Sequence, residues 1–156
     1  MAEAGTVSLL RRGLLWLAGL TTVALGIELA AERHWTQPVQ WIAWVALAVT
    51  LLGIILVLGR PSQTRIQIAR VLAVLVIVSA AVGIWEHIDS NYDAGELDRE
   101  YSEQWESLPV STKWWLAVSK TVGPSPPLAP GALAQAGVCI LLVTLRHPAL
   151  RDSSTL

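Results

Sequence analysis

The sequence predicts an all-α integral membrane protein, a four-helix transmembrane bundle carrying a short helical extracytoplasmic cap between its third and fourth spans. Three observations lead there. Of 156 residues, 53% are hydrophobic and 15% charged, where a soluble domain carries about a quarter charged. The apolar residues gather into four runs, and crossing a hydrocarbon core of about 30 Å takes about 20 apolar residues as a helix, because no water is there to satisfy the backbone. The basic residues, finally, are distributed unevenly about those runs. The same composition excludes other classes. Its apolar content rules out disorder, and a single Cys139 rules out a disulfide framework. A net charge of −1 with no basic tract argues against a nucleic-acid partner. The chain, 1–156, reads as one membrane domain whose first partner is the lipid bilayer.

The first span, about 13–31, is interrupted only by Glu28. Arg11 and Arg12 before it give it the look of a secretory signal, but its apolar run exceeds the usual 7 to 15 or so residues. Leu29-Ala30-Ala31 beside Glu28 is also a poor cleavage site, so the helix is expected to be retained. The second span, about 39–58, has no charge and is stopped by Gly59-Arg60-Pro61, since a residue before proline avoids helical dihedrals. The uncharged stretch Val71 to Trp85 is short. It is extended backward through a snorkelling Arg70 and forward to Ile88, giving a third span of about 68–88. The fourth, about 128–146, has Pro130 in its first turn and His147-Pro148 at its end.

Orientation follows from Lys and Arg, which resist translocation. Arg11, Arg12, Arg60, Arg65, Arg70, Arg146 and Arg151, seven of the eleven, fall on one side. Both termini are therefore expected in the cytoplasm and 89–127 outside it. Arg far outnumbers Lys and there is a single Asn, as in a GC-rich bacterial genome, which points to the bacterial inner membrane. Ten of the twelve acids, from Glu28 to Glu106, fall on the outer side. So do Trp35, Trp41, Trp44, Trp85, Trp105, Trp114 and Trp115, as an interfacial belt would require, because an indole joins an apolar body to an N–H donor.

The segment 89–127 is long for a connection, and long loops are usually structured or functional. Asp93-Ala-Gly-Glu96 has the spacing of a capping box, and Leu97, Tyr101, Trp105 and Leu108 recur at helical intervals. An amphipathic helix is predicted over about 94–107, with Arg99 pairing Glu103. A second, over 109–120, would set Val110, Trp114, Ala117 and Val118 on one side and Trp114-Trp115 at the membrane surface. Four prolines make 123–130 a stiff extended lead-in. Leu97, Tyr101, Trp105, Trp114 and Trp115 are the candidate partner-binding residues of this cap.

Ionisable groups near a membrane are functional candidates because hydrocarbon penalises them. Glu28, Glu32 and His34 end the first span; Glu86, His87 and Asp89 end the third. Carboxylates with imidazole suit a divalent ion such as Zn²⁺ or Mn²⁺, although no His-x-x-x-His or Cys-x-x-Cys is present, and solvent exposure at helix ends accounts for the same residues. Glu28 alone suits a proton-coupled binding carboxylate. Ser79 and Cys139 have no base within a helical turn and no phosphate loop occurs, so no enzymatic activity is expected. Gln135 is expected as a buried polar group bonding across helices. Ala18, Thr22, Gly26 and Ala30, and likewise Ala129, Ala132, Ala136 and Cys139, form small-residue seams for helix packing or for a homo- or hetero-oligomer.

Four spans with a carboxylate in the first resemble the small multidrug exporters in architecture, from which this chain departs by its greater length and long third loop. The function expected from all this is that of a non-enzymatic accessory or assembly subunit of a membrane complex. The alternative is a small transporter or divalent-cation-binding membrane protein using the outer carboxylates and histidine.

Overall fold

The computed structural model describes residues 2–60 and 62–150, so Pro61 and Arg151 lie outside the described residues. Among the described residues all regular structure is helical: α1 (Ala2–Ala31), α2 (Trp41–Leu58), α3 (Gln63–Ala94), α4 (Val110–Val118) and α5 (Gly131–Thr144), with short 3-10 turns between. Among the described residues three helical stretches are long and apolar enough to cross a membrane, Gly5–Ala31, Pro38–Leu58 and Gln63–Leu97. The fourth apolar helix, α5, has 14 residues and spans about 21 Å at 1.5 Å per residue. It begins later than expected because Pro126, Pro127 and Pro130 hold the chain in turns up to Gly131.

Two compact units form. The first comprises the chain up to Ala80 together with the segment from Ala132 onward; the second is Ala81–Gly131. α3 runs through both.

The first unit is built on small side chains. Ala18 of α1, Ile54 of α2, Ala69 and Ala73 of α3, and Ala136 and Ile140 of α5 share one buried cluster. Ala46, Leu47, Val76, Ala80 and Leu133 share a second. A side-chain carbon built at Gly137 would stand 2.9 Å from the Ala73 carbonyl oxygen, so glycine lets α5 and α3 approach backbone to backbone. The α1 seam is buried at Ala18 and Thr22, half-buried at Gly26 and exposed at Ala30. Thr22 and Thr50 are buried, and each satisfies its hydroxyl by donating one turn back, to the Ala18 and Ala46 carbonyls at 2.7 Å.

In the second unit the expected helix over 94–107 is replaced by two single 3-10 turns, Gly95–Leu97 and Trp105–Ser107. α3 extends to Ala94, so Asp93 lies in its last turn and is no N-cap. The Asp98 carboxylate instead accepts the N–H groups of Glu100 (2.9 Å) and Tyr101 (3.2 Å) and turns the chain. The reason is tertiary. The Trp105 ring lies against Gly95, where a side-chain carbon would collide with it, whereas a continuous helix would hold the two about 15 Å apart. Burying an indole outweighs the local helical preference, and the helical spacing of Arg99 and Glu103 goes with it.

Candidate functional site

One line of side chains on α3 organises the second unit. Gly83, His87 and Asn91 follow at one-turn intervals, and each receives part of the proline-rich segment. A side-chain carbon built at Gly83 would stand 3.0 and 3.1 Å from two Pro130 ring carbons, a tight approach that glycine eases. The His87 Nδ1 lies 2.8 Å from the Pro126 carbonyl; because a carbonyl only accepts, Nδ1 carries the proton and donates. Asn91, fully buried, accepts the Ser125 N–H at 2.9 Å and donates to the Ser125 carbonyl at 2.7 Å and the Ala117 carbonyl at 3.2 Å. Gly123 turns the chain into this position with φ +77, beside the Asn91 side chain.

Above the Asn91 clamp sits an aromatic core. Trp105 is 1% exposed and packs with Leu116, Ala117 and Val122. Tyr92 meets Trp105 edge-on at 5.6 Å and Trp114 at 4.5 Å, and Trp114 stacks on Trp85 at 5.4 Å. The buried Lys113 sets its ammonium 5.4 Å from the Trp105 ring centroid, a cation–π contact that partly replaces lost hydration. The surface of this unit is acidic. Asp89, Asp93, Glu96, Glu100, Glu103 and Glu106 are all exposed, and Leu97 among them is 87% exposed.

These placements revise the expected partner-binding set. Leu97 and Trp115 are exposed, Tyr101 and Trp114 half-buried, and Trp105 is core, its indole withdrawn from any surface. On α4 the expected grouping also changes: Ala117 faces inward with Lys113 and Leu116, leaving Val110, Trp115 and Val118 outside.

In the first unit Glu28 and Glu32 are exposed and His34 is half-buried, its carbonyl accepting the Trp44 indole N–H at 2.7 Å. In the second, Glu86 and Asp89 are exposed and His87 is half-buried. Among the described residues no three His, Cys, Asp or Glu side chains stand together as a metal ion would need. Gln135 corrects its expectation: it is exposed. The buried face of α5 runs through Leu133, Ala136, Gly137, Ile140 and Val143, and at about 100° per residue Gln135 falls roughly 135° from the centre of that face.

For Arg11, Arg65 and Arg70 the sequence offers no hydrogen-bond partner; the structure does. Arg70 donates to Thr144 twice, from Nη2 to the carbonyl at 2.7 Å and from Nε to the hydroxyl at 3.1 Å. Arg11 donates to the Leu145 and Arg146 carbonyls at 3.0 and 3.2 Å. Arg65 donates to the Ile55 carbonyl at 3.3 Å. Cations from α1 and α3 thus add donors at the C-terminal ends of α5 and α2, where the helix dipole is negative, beside the backbone N–H groups of His147 and Gly59 that the Thr144 and Ile55 carbonyls also accept. The nearby His147 has its pKa lowered, first by burial and then by Arg11 and Arg70. The chain matches no protein-family model, no curated protein and no solved structure.

Proposed function

We propose that the chain is a non-enzymatic accessory or assembly subunit of a bacterial membrane complex, a four-helix transmembrane bundle with both termini cytoplasmic. Its acidic cap, 89–127, faces the extracytoplasmic side and docks a partner subunit. One observation carries this reading: Leu97 is 87% exposed among carboxylates, on a unit that has its own buried core and polar clamp. A connection that merely joins two helices needs neither a buried tryptophan nor a fully bonded asparagine, whereas a docking platform needs a rigid base. An exposed apolar side chain flanked in sequence by Glu96 and Asp98 is a compact docking element, with the acids steering a basic partner. The orientation is supported by Arg11, Arg65 and Arg70 meeting helix ends at one end of the first unit, as a cytoplasmic face requires.

The test is stoichiometric co-purification of the tagged full chain from native membranes in mild detergent. Leu97→Ser together with Glu100→Lys should abolish recovery of the partner while thermal unfolding is unchanged. Recovery of the same chains with wild type and variant would overturn the docking role. A cysteine at Glu103 that resists an impermeant reagent on intact cells but reacts after lysis would overturn the orientation.

A further inference from the structure

We infer that α4 lies in the membrane interface with one face immersed in lipid, so that the second unit rests on the bilayer through this helix. This rests on the reading of α3 as a membrane-spanning helix. On α4 the buried and exposed residues fall on different arcs, and Ser111 is the one polar residue on the exposed arc. Lys113, Leu116 and Ala117 are buried, and they occupy an arc of about 100° on a helix of 3.6 residues per turn. Val110, Trp115 and Val118 are 64%, 68% and 45% exposed, and they fall within about 140° on the other side. A water-facing surface of Val and Trp on so short a helix would be costly, whereas an interfacial helix is built this way, its apolar side toward the acyl boundary and an indole at headgroup depth.

The occupant is identified by continuity. Along α3 the residues Val71, Leu75, Val78, Val82 and Trp85 are each exposed and follow at intervals of three or four, forming one unbroken apolar stripe. On a spanning helix such a stripe faces hydrocarbon, there being nothing polar in it to face water. Trp85, its last member, stacks on Trp114 of α4 at 5.4 Å and 29°. The lipid-facing surface of α3 therefore passes through this indole pair directly onto the exposed face of α4. The acids of the unit begin at Glu86 and Asp89, the latter one turn beyond Trp85 on α3, and continue to Glu106, so the apolar stripe gives way to charge just past the indole pair.

The test uses nitroxide labels on single cysteines in a Cys139→Ala background, with the full chain in vesicles of zwitterionic and anionic phospholipid. Labels go to Leu75, Val118 and Glu103, and collision rates are measured with oxygen, which concentrates in lipid, and a nickel chelate, which stays in water. The oxygen-to-nickel ratio at Val118 should be several-fold above that at Glu103 and on the side of Leu75. A nickel-dominated Val118 would mean that α4 faces water. A Val118 label shielded from both reagents would mean that protein, a second copy or a partner, covers it. Either result, with Leu75 still oxygen-rich, overturns the inference alone; a nickel-accessible Leu75 overturns the membrane-spanning reading of α3 and the inference with it.

Discussion

Asn91 and Ser125 exchange two hydrogen bonds, the Ser125 N–H to Oδ1 at 2.9 Å and Nδ2 to the Ser125 carbonyl at 2.7 Å, so that one side chain on α3 pairs with the loop backbone as another strand would. The second amide proton reaches the Ala117 carbonyl at the end of α4. Asn91→Leu keeps the volume and deletes all three bonds. Because Ser125 is half-buried, water recovers part of the loss, and the expected destabilisation of the second unit is on the order of 2 kcal/mol. Asn91→Asp retains the acceptor but turns a carboxylate toward two carbonyls, and should cost at least as much. Amide hydrogen exchange at Val122 and Ser125 reads this directly; protection unchanged in Asn91→Leu would show that the pair holds nothing.

Gly95 and Trp105 make the second contact on which this unit depends. Gly95→Ala places a methyl against an indole that has no room to move, with an expected cost of about 1–3 kcal/mol, while Trp105→Ala removes the core and should cost about 3–5 kcal/mol. The two are coupled through one contact, so Gly95→Ala in a Trp105→Leu background should cost much less than in the parent. Limited proteolysis within 95–109, followed for the four proteins of the cycle, measures the coupling; strict additivity would mean the ring and the glycine do not constrain one another.

Each long apolar helix was legible because the requirement that produces it is local: uninterrupted apolar length. The path from 95 to 109 was not, because it is decided by Trp105 reaching back to Gly95, and the periodicity of Leu97, Tyr101 and Trp105 carries no trace of that preference. Gln135 was misread although the signal existed. Leu133, Ala136, Gly137 and Ile140 mark the inward face of α5 by their spacing, and Gln135 is off it. Asn91 was also readable in principle, as the chain's one asparagine on the same helical line as Gly83 and His87. What spacing alone does not supply is which helix ends meet. The grouping of Glu28, Glu32 and His34 with Glu86, His87 and Asp89 depended on that.

Arg70 and Thr144 join α3 to the end of α5 through two bonds from one guanidinium. A charged donor on a helix C-terminal carbonyl combines a strong hydrogen bond with the dipole term, so Arg70→Met should destabilise the first unit by about 1.5–3 kcal/mol. Arg70→Lys presents a point charge in place of a fork and should recover only part of this. Thr144→Val spares the carbonyl bond and should lose about 1 kcal/mol. Thermal unfolding in detergent should rank the variants in that order; an Arg70→Lys protein as stable as wild type would show that charge alone, not the two-point geometry, caps α5.

His147 makes the same end of the first unit pH-sensitive. It lies just beyond α5, accepts the Ala149 N–H at Nδ1 (3.3 Å), and its pKa is lowered by burial, Arg11 and Arg70. Protonation would turn that acceptor into a donor and add a third cation beside two arginines. Since the folded protein disfavours the charged form, the unfolded chain takes up the proton first as pH falls below about 6.5. In that window the unfolded state binds more protons, so stability rises with pH. The stabilisation is complete above the ordinary histidine pKa, is lost progressively as pH falls below it, and levels off once the folded protein is protonated too. His147→Gln removes this contribution, so the difference in melting temperature between parent and variant should shift in favour of the variant as pH is lowered through the window. Arg11→Gln removes one of the two cations, raises the His147 pKa toward its ordinary value and should narrow the window. Parallel melting curves for parent and His147→Gln from neutral to mildly acidic pH would mean that His147 titrates alike in the folded and unfolded chain.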